Sequence, residues 1–250
     1  MLLSNRVAVV TGAANGIGST TAQLYAESGA DVALLDIDSG GLERTAAAIR
    51  QFGRRALVLE VDLLDEQAVV AAFERVRSDL GSVDVLLNNV GQSAREKASS
   101  FVESQPASWD WLISICLRST ILCSHQVVRE MQARKSGKIV NIASDSAYIG
   151  SRSSAAYAAA KGGVISFTRS LAREIAADGI TVNAVAPGPT RTRAMQQLPA
   201  EIVAREQAEI PMGALCEPED IAHAVLFFST HHSRLVTGQT LIVNGGRWMN

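Results

Sequence analysis

The 250-residue chain predicts an α/β fold, a doubly wound parallel sheet of seven strands flanked by helices on both faces. Three observations carry this expectation. Short β-branched runs alternate with longer Ala-rich amphipathic stretches from end to end. Several runs are apolar on consecutive residues, such as Val7-Ala8-Val9-Val10 and Val32-Ala33-Leu34-Leu35, as parallel strands covered on both faces require. A glycine-rich turn joins the first such run to the first helical pattern.

In chain order, the β-branched first run Val7–Thr11 gives way to a helical pattern at 17–28. Asp31–Asp36 and the helix 40–52 repeat the unit, followed by Ala56–Val61 with 66–79. Val83–Asn88 leads into a long pattern at 107–134, and Gly137–Ile142 into another at 154–177. Thr181–Ala186, the helix 218–229 and Thr240–Val243 complete the alternation. No repeat, low-complexity linker or composition shift divides it, so residues 1–250 read as a single domain. The long segment outside the alternation, about 187–217, is rich in Pro, Arg and Met and reads as a substrate lid with little regular structure.

Composition bounds the function. Hydrophobic residues at 47% and charged residues at 19% suit a globular protein with a generous core. A balance of 23 basic against 25 acidic side chains lacks the basic footprint of a nucleic-acid binder. No apolar run approaches the roughly 18 residues of a membrane span. The opening MLLSNRVAVVTG has none of the parts of a signal peptide. Three scattered cysteines make no disulfide framework. The expected location is cytoplasmic.

The first strand runs into Thr11-Gly12-Ala13-Ala14-Asn15-Gly16-Ile17-Gly18. Glycines there permit a tight turn, close approach of a phosphate and tight helix–strand packing, while the helix N-terminus offers free N–H groups to a pyrophosphate. This is a Rossmann-type arrangement, although the spacing G-x-x-x-G-x-G is not the standard one. Asp36 ends the second strand, 18 residues beyond Gly18, near the position that binds an adenosine ribose diol. A carboxylate there repels the additional phosphate of NADP, so NAD is the expected cofactor; the bland alternative is a strand-end turn residue. Further on, Tyr157 and Lys161 share a helix face at i, i+4. An ammonium beside a phenol favours the phenolate and brings its pKa toward the range of acid–base work.

The ordered set TGAANGIG (11–18), VD (61–62), NNVG (88–91), NIAS (141–144), YAAAK (157–161), PGPTRT (187–192) and TGQTLIVNGG (237–246) resembles the short-chain dehydrogenase/reductase family over almost the whole chain. The resemblance implies reversible hydride transfer between NAD(H) and a secondary alcohol or ketone, without a metal. Tyr157 would be the general acid/base, Lys161 would bind the nicotinamide ribose and depress the tyrosine pKa, and Ser144 would orient the substrate oxygen. Cofactor contacts would come from Gly12, Asn15, Gly16, Ile17, Gly18, Asp36, Asp62, Leu63, Asn89, Gly91, Pro187, Gly188, Thr190 and Thr192, with Asn88 as a buttress beside the fourth strand. A homotetramer built on the two long helices is also implied.

One position departs from the family. Cys116 stands where an Asn usually stabilises an irregular turn whose carbonyl holds a water linked to Lys161, and Ser119 replaces a usual Gly. Cysteine cannot reproduce the amide's hydrogen bonds. Cys116 and Cys123 lie seven apart, roughly 10 Å of rise, beyond disulfide reach. With His125, which points off their face, they lack compact zinc spacing. Packing beside the site with an altered relay is the expectation.

For the substrate, Gln92–Lys97, Asp145–Arg152 and the lid from Arg191 onward are the expected walls, and Arg152, Arg191 and Arg193 hint at a carboxylate, phosphate or coenzyme A ester. Trp109 and Trp111 are expected to pack on the long helix, and Trp248 to reach a neighbouring subunit. Two rivals stand beside the dehydrogenase: a 3-oxoacyl-thioester reductase, which would prefer NADPH, and a cofactor-binding regulator whose chemistry faded with the Asn.

Overall fold

The computed structural model describes residues 1–93 and 100–249. Seven strands form one sheet: β1 Val7–Thr11, β2 Asp31–Asp36, β3 Ala56–Glu60, β4 Val85–Asn88, β5 Gly137–Ile142, β6 Ile180–Pro187 and β7 Thr240–Val243. Their spatial order is β3-β2-β1-β4-β5-β6-β7, with every neighbouring pair parallel. The chain winds outward from β1 to β3, then returns to begin the other half at β4. That reversal opens a crevice at the carboxyl ends of β1 and β4, the usual binding place in open α/β sheets.

The larger helices are α1 Gly16–Glu27, α2 Ser39–Gln51, α3 Glu66–Asp79, α4 Pro106–Ile113 and α5 Ser119–Arg134, followed by the short α6 Ser146–Ile149. Beyond them lie α7 Ala155–Ile175, α8 Arg193–Gln196, α9 Ala200–Ala208 and α10 Pro218–Ser229. Side chains alternate across a strand, and β1 divides accordingly. Ala8 and Val10 join Tyr25, Leu42 and Phe228 on one face of the sheet. Val7 and Val9 join Phe73, Val127, Met131 and Ile175 on the other. All five β1 residues are buried, which explains their unbroken apolar run.

One expectation changes. The segment 187–217 is not without regular structure: it carries α8 and α9, and Met195, Ile210 and Leu215 form a small apolar cluster with Leu198 and Val203. The helical pattern at 107–134 divides into α4 and α5 at a π-helical turn, Ser114–Arg118, where the resemblance implied an irregular turn. By length and composition Pro106–Arg134 is apolar enough to cross a membrane, although no single apolar run in it is long. Its buried residues Cys123, Val127 and Met131 pack against the sheet and account for that apolarity.

Candidate active site

The glycine loop is shaped by backbone demands. Gly12 and Gly16 have φ of +65° and +55°, where L side chains are strained. A Cβ on Gly18 would lie 2.0 Å from the Gly12 carbonyl oxygen, so the helix meets the strand only through glycine. Asn89 fastens the loop from β4's side. Its Nδ2 donates to the carbonyls of Thr11 (3.1 Å) and Gly12 (3.0 Å), and its backbone N–H donates to Thr11 Oγ1 at 2.9 Å. Asn15, exposed at the N-cap of α1, makes no side-chain cap bond, and no acidic residue occupies the first turn. Backbone N–H groups at an uncapped helix start beside a glycine cradle suit an anion such as a pyrophosphate. Ile17 is half-buried beside them and packs onto the α1–α2 core.

Asp36 sits at the end of β2, where Oδ2 accepts from Ala14 N–H in the loop at 3.1 Å. Oδ1 accepts from the N–H groups of Ile37 (2.7 Å) and Asp38 (3.1 Å), so the carboxylate also serves the strand-end turn. The two readings of Asp36 are compatible. Asp62 is exposed and accepts from Leu64 N–H at 2.9 Å, while Leu63 is buried.

Asn88 lies deeper than a cofactor buttress. Its Nδ2 donates to Ser124 Oγ (3.0 Å) and Asn141 Oδ1 (2.8 Å), and Asn141 in turn donates to Thr168 Oγ1 at 2.9 Å. This network ties β4, β5, α5 and α7 together under the crevice.

Lys161, fully buried on α7, donates from Nζ to the Ile142 carbonyl at 2.7 Å. Burial pushes its pKa down, and the nearby Cys116 sulfur opposes that fall. Nζ lies 5.9 Å from the Tyr157 ring centroid. Gly91 makes room for this packing: a Cβ there would stand 2.9 Å from Lys161 Nζ and 3.3 Å from Cys116 Sγ. Ser144, two residues past β5, is buried; its Oγ shares a 2.5 Å hydrogen bond with Ser146 Oγ and accepts from Ser146 N–H at 3.2 Å.

The irregular turn survives without the Asn. At the π-turn the Ser119 N–H bonds to Ser114 O, five residues back, which leaves the Ile115 carbonyl without its usual backbone donor. Ser119 Oγ donates to Ile115 O at 2.6 Å, and Thr120 Oγ1 donates to Cys116 O at 3.1 Å. Cys116 is fully buried, and Sγ–H reaches the Gln92 carbonyl at 3.6 Å. Hydroxyls one turn on thus satisfy the carbonyls in the turn. Cys116, Cys123 and Cys216 are free and buried, and no metal-binding group occurs among the described residues.

The segment after β6 closes the far side. Gly188 N–H, next to Pro187, donates to Val243 O at 2.8 Å, and Thr190 Oγ1 donates to Gly188 O at 2.9 Å. Thr192, at the N-cap of α8, brings its methyl within 3.3 Å of where a Gly16 Cβ would be, so this segment approaches the glycine loop.

Several substrate-side expectations are revised. Arg191 pairs with Glu217 (2.8 Å) and Arg193 with Asp38 (3.7 Å), so carboxylates of the chain itself already engage two of the three candidate cations. Trp248, half-buried, stacks on Tyr148 of its own chain at 4.5 Å. Trp109 stacks on Phe101 (5.5 Å) and donates from Nε1 to Ser104 Oγ. Residues 94–97 of the Gln92–Lys97 wall lie outside the described residues. A cavity of about 420 Å³ lined by Ser93, Ser104, Trp109, Leu112 and Ser154 borders the start of α7. It contains none of the expected catalytic or cofactor residues, but Ser93 and Ser151 of the expected substrate walls line it, and Ala155 and Ala156 just before Tyr157 do too. Sequence reasoning passed over Arg247, which ion-pairs with Asp145 next to Ser144 at 3.5 Å.

Known proteins share this sequence and fold. The family described as enoyl-(acyl carrier protein) reductase matches residues 12–247. The chain is 42% identical over 243 residues to cis-4-hydroxycyclohexanecarboxylate dehydrogenase of Sinomonas cyclohexanicum, covering 97% of this chain and 96% of that protein. It is 35% identical to a 3-oxoacyl-(acyl-carrier-protein) reductase of Vibrio harveyi, over 100% of both chains. A crystal structure from Sinorhizobium meliloti 1021, assigned as a short-chain alcohol dehydrogenase, superposes with a TM-score of 0.92 at 34% identity, covering 98% of this chain and 97% of that one. The chain therefore belongs to the short-chain dehydrogenase/reductase family, oxidoreductases that move hydride between a nicotinamide cofactor and a carbinol or carbonyl carbon.

Proposed function

We propose that this enzyme is an NAD(H)-dependent dehydrogenase of a secondary alcohol, or the reverse ketone reductase, with Tyr157 as general acid/base. The observation that carries the reading is one chain of contacts around the crevice. Asn89 holds the glycine loop, Gly91 abuts Lys161, Lys161 binds β5 just before Ser144, and Thr192 closes onto Gly16. The cofactor, when bound, supplies the hydride acceptor or donor. In the oxidative direction, the Tyr157 oxygen takes the hydroxyl proton as the carbinol hydrogen leaves as hydride. Ser144 Oγ donates a hydrogen bond to the substrate oxygen. Lys161, anchored on the Ile142 carbonyl, keeps positive charge under the tyrosine and favours its phenolate.

Asp36 supports NAD over NADP, because its carboxylate is already oriented by Ala14 at the end of β2 and would repel a ribose phosphate. The same Asp36 argues against the thioester-reductase rival. The intact Ser144, Tyr157 and Lys161 argue against a regulator. The relative that acts on cis-4-hydroxycyclohexanecarboxylate suggests cyclic secondary alcohols as first substrates. Trp111, Ile113 and Ile121 are exposed on α4 and α5, which supports assembly of copies through the long helices as a homotetramer, to be sized by chromatography with light scattering. Free buried thiols fit a reducing, cytoplasmic setting.

The test is a panel of cyclic alcohols, ketones and 3-oxoacyl thioesters followed by NADH and NADPH absorbance. We expect turnover of an alcohol with NAD, lowered by about 10²- to 10⁴-fold in Tyr157→Phe. Turnover confined to thioesters with NADPH would move the assignment to the rival. Tight NADH binding without turnover would favour the regulator.

A further inference from the structure

The C-terminal turn places one guanidinium among three carboxylates from two distant segments. Arg247 Nη1 lies 3.5 Å from Asp145 Oδ2, and Nη2 lies 3.2 Å from Glu206 Oε2. Nε donates to Glu209 Oε2 at 3.1 Å, and Nη2 pairs with the same oxygen. Asp145 adjoins Ser144, whereas Glu206 lies on the lid helix α9 and Glu209 just beyond its end. Arg247, Asp145 and Glu206 are nearly buried, with side chains 14%, 5% and 15% exposed, while Glu209 reaches solvent.

The tail is built to hold this guanidinium in place. Gly245 and Gly246 adopt φ of +63° and +83°, and a Cβ on Gly245 would stand 2.5 Å from Ile210 Cγ2. Gly245 O accepts from Met212 N–H at 3.1 Å, and Asn244 Nδ2 donates to Trp248 O at 3.2 Å. Trp248 stacks on Tyr148 of α6 at 4.5 Å, pinning the helix that follows Ser144. Arg205 and Arg152 add positive charge near the exposed Glu209, whereas the nearly buried Asp145 and Glu206 both pair with Arg247, so this guanidinium is engaged by the chain itself.

We propose that Arg247 is a positioning residue, a latch that ties the lid helix α9 to the Ser144 loop and so sets the walls of the substrate site. The inference rests on the assignment of Ser144 and the lid to that site. Without the guanidinium, Asp145 and Glu206 face each other in a nearly dry space, and their repulsion drives α9 off the loop. The glycine loop and Asp36 are held by other contacts, and Asp145 keeps its backbone bond to Pro187, so most of the cofactor affinity is retained without the latch.

The experiment compares wild type with Arg247→Met and Arg247→Lys in the whole enzyme, using the alcohol found in the panel, NADH fluorescence titration, and amide hydrogen exchange over residues 200–208. Arg247→Met is expected to raise KM for the alcohol about tenfold or more, as removal of one partner from a buried charge cluster does. NADH affinity should stay within about twofold, with faster exchange in α9. Arg247→Lys should recover part of KM, and adding Asp145→Asn to Arg247→Met should recover part by removing one repelling charge. An unchanged KM, a parallel fall in NADH affinity, or a raised KM with α9 exchange unaltered would each overturn the latch. If wild type turns over no alcohol, the dehydrogenase reading fails, and α9 exchange by itself still decides the latch.

Discussion

The carboxyl ends of β1, β2 and β4 and those of β5, β6 and β7 face one crevice, yet different forces hold them. On the first side, positive-φ glycines, a short Cβ-free contact at Gly18 and amide hydrogen bonds from Asn89 set the geometry. On the second side, charges on side chains far apart in sequence set it: Arg247 with Asp145, Glu206 and Glu209, and Arg191 with Glu217. The side proposed for the cofactor is shaped by backbone, which tolerates little change. The side proposed for the substrate is joined by exchangeable side chains, where the latch proposal expects one replacement to move a helix.

The contrast is most readily broken at Gly18. Gly18→Ala places a methyl against the Gly12 carbonyl and is expected to cost about 2–3 kcal/mol of stability. NADH affinity should fall with it, which thermal melting and fluorescence titration will read together; a variant as stable and as tight as wild type would show that the loop yields. Asp36→Ala tests the same side more gently. It should weaken NAD binding by about tenfold and leave NADP less disfavoured, so an unchanged NAD/NADP ratio in kcat/KM would remove Asp36 from cofactor choice. The smallest change is expected at Cys116→Asn. The Ser119 and Thr120 hydroxyls already hold the π-turn, so NAD binding should stay the same while turnover and its pH profile shift modestly. If turnover and the pH profile are also unchanged, residue 116 only packs.

The cofactor side was readable because its signals are local. Consecutive apolar residues marked buried parallel strands, and the glycine turn with Asp36 marked the crevice. Tyr157 and Lys161 share a helix face by their spacing, but that spacing occurs by chance on many helices, and their roles came from the family resemblance. The substrate side was largely hidden, because a sequence does not say which distant charges meet. Arg191 and Arg193 looked like receptors for an anion and pair instead with Glu217 and Asp38. The cation that lies beside Ser144's neighbour is Arg247, which carries no local signature. The irregular turn at Cys116 was legible through the resemblance, but not that it is kept by the Ser119 and Thr120 hydroxyls in place of an Asn. Helix α9 had a fair signal, Pro199 followed by Ala200-Glu201, but none of its residues is fully buried.

Folding order follows from the Asn89 tie. Its partners, Thr11 and Gly12, lie 78 and 77 residues upstream, and β1 pairs with β4 only across that gap. Such distant closure is slow compared with local helix formation. A chain still leaving the ribosome after its second strand carries the whole glycine motif, yet the loop has no Asn89 to shape it. Competence to hold the dinucleotide arrives only when the fourth strand does.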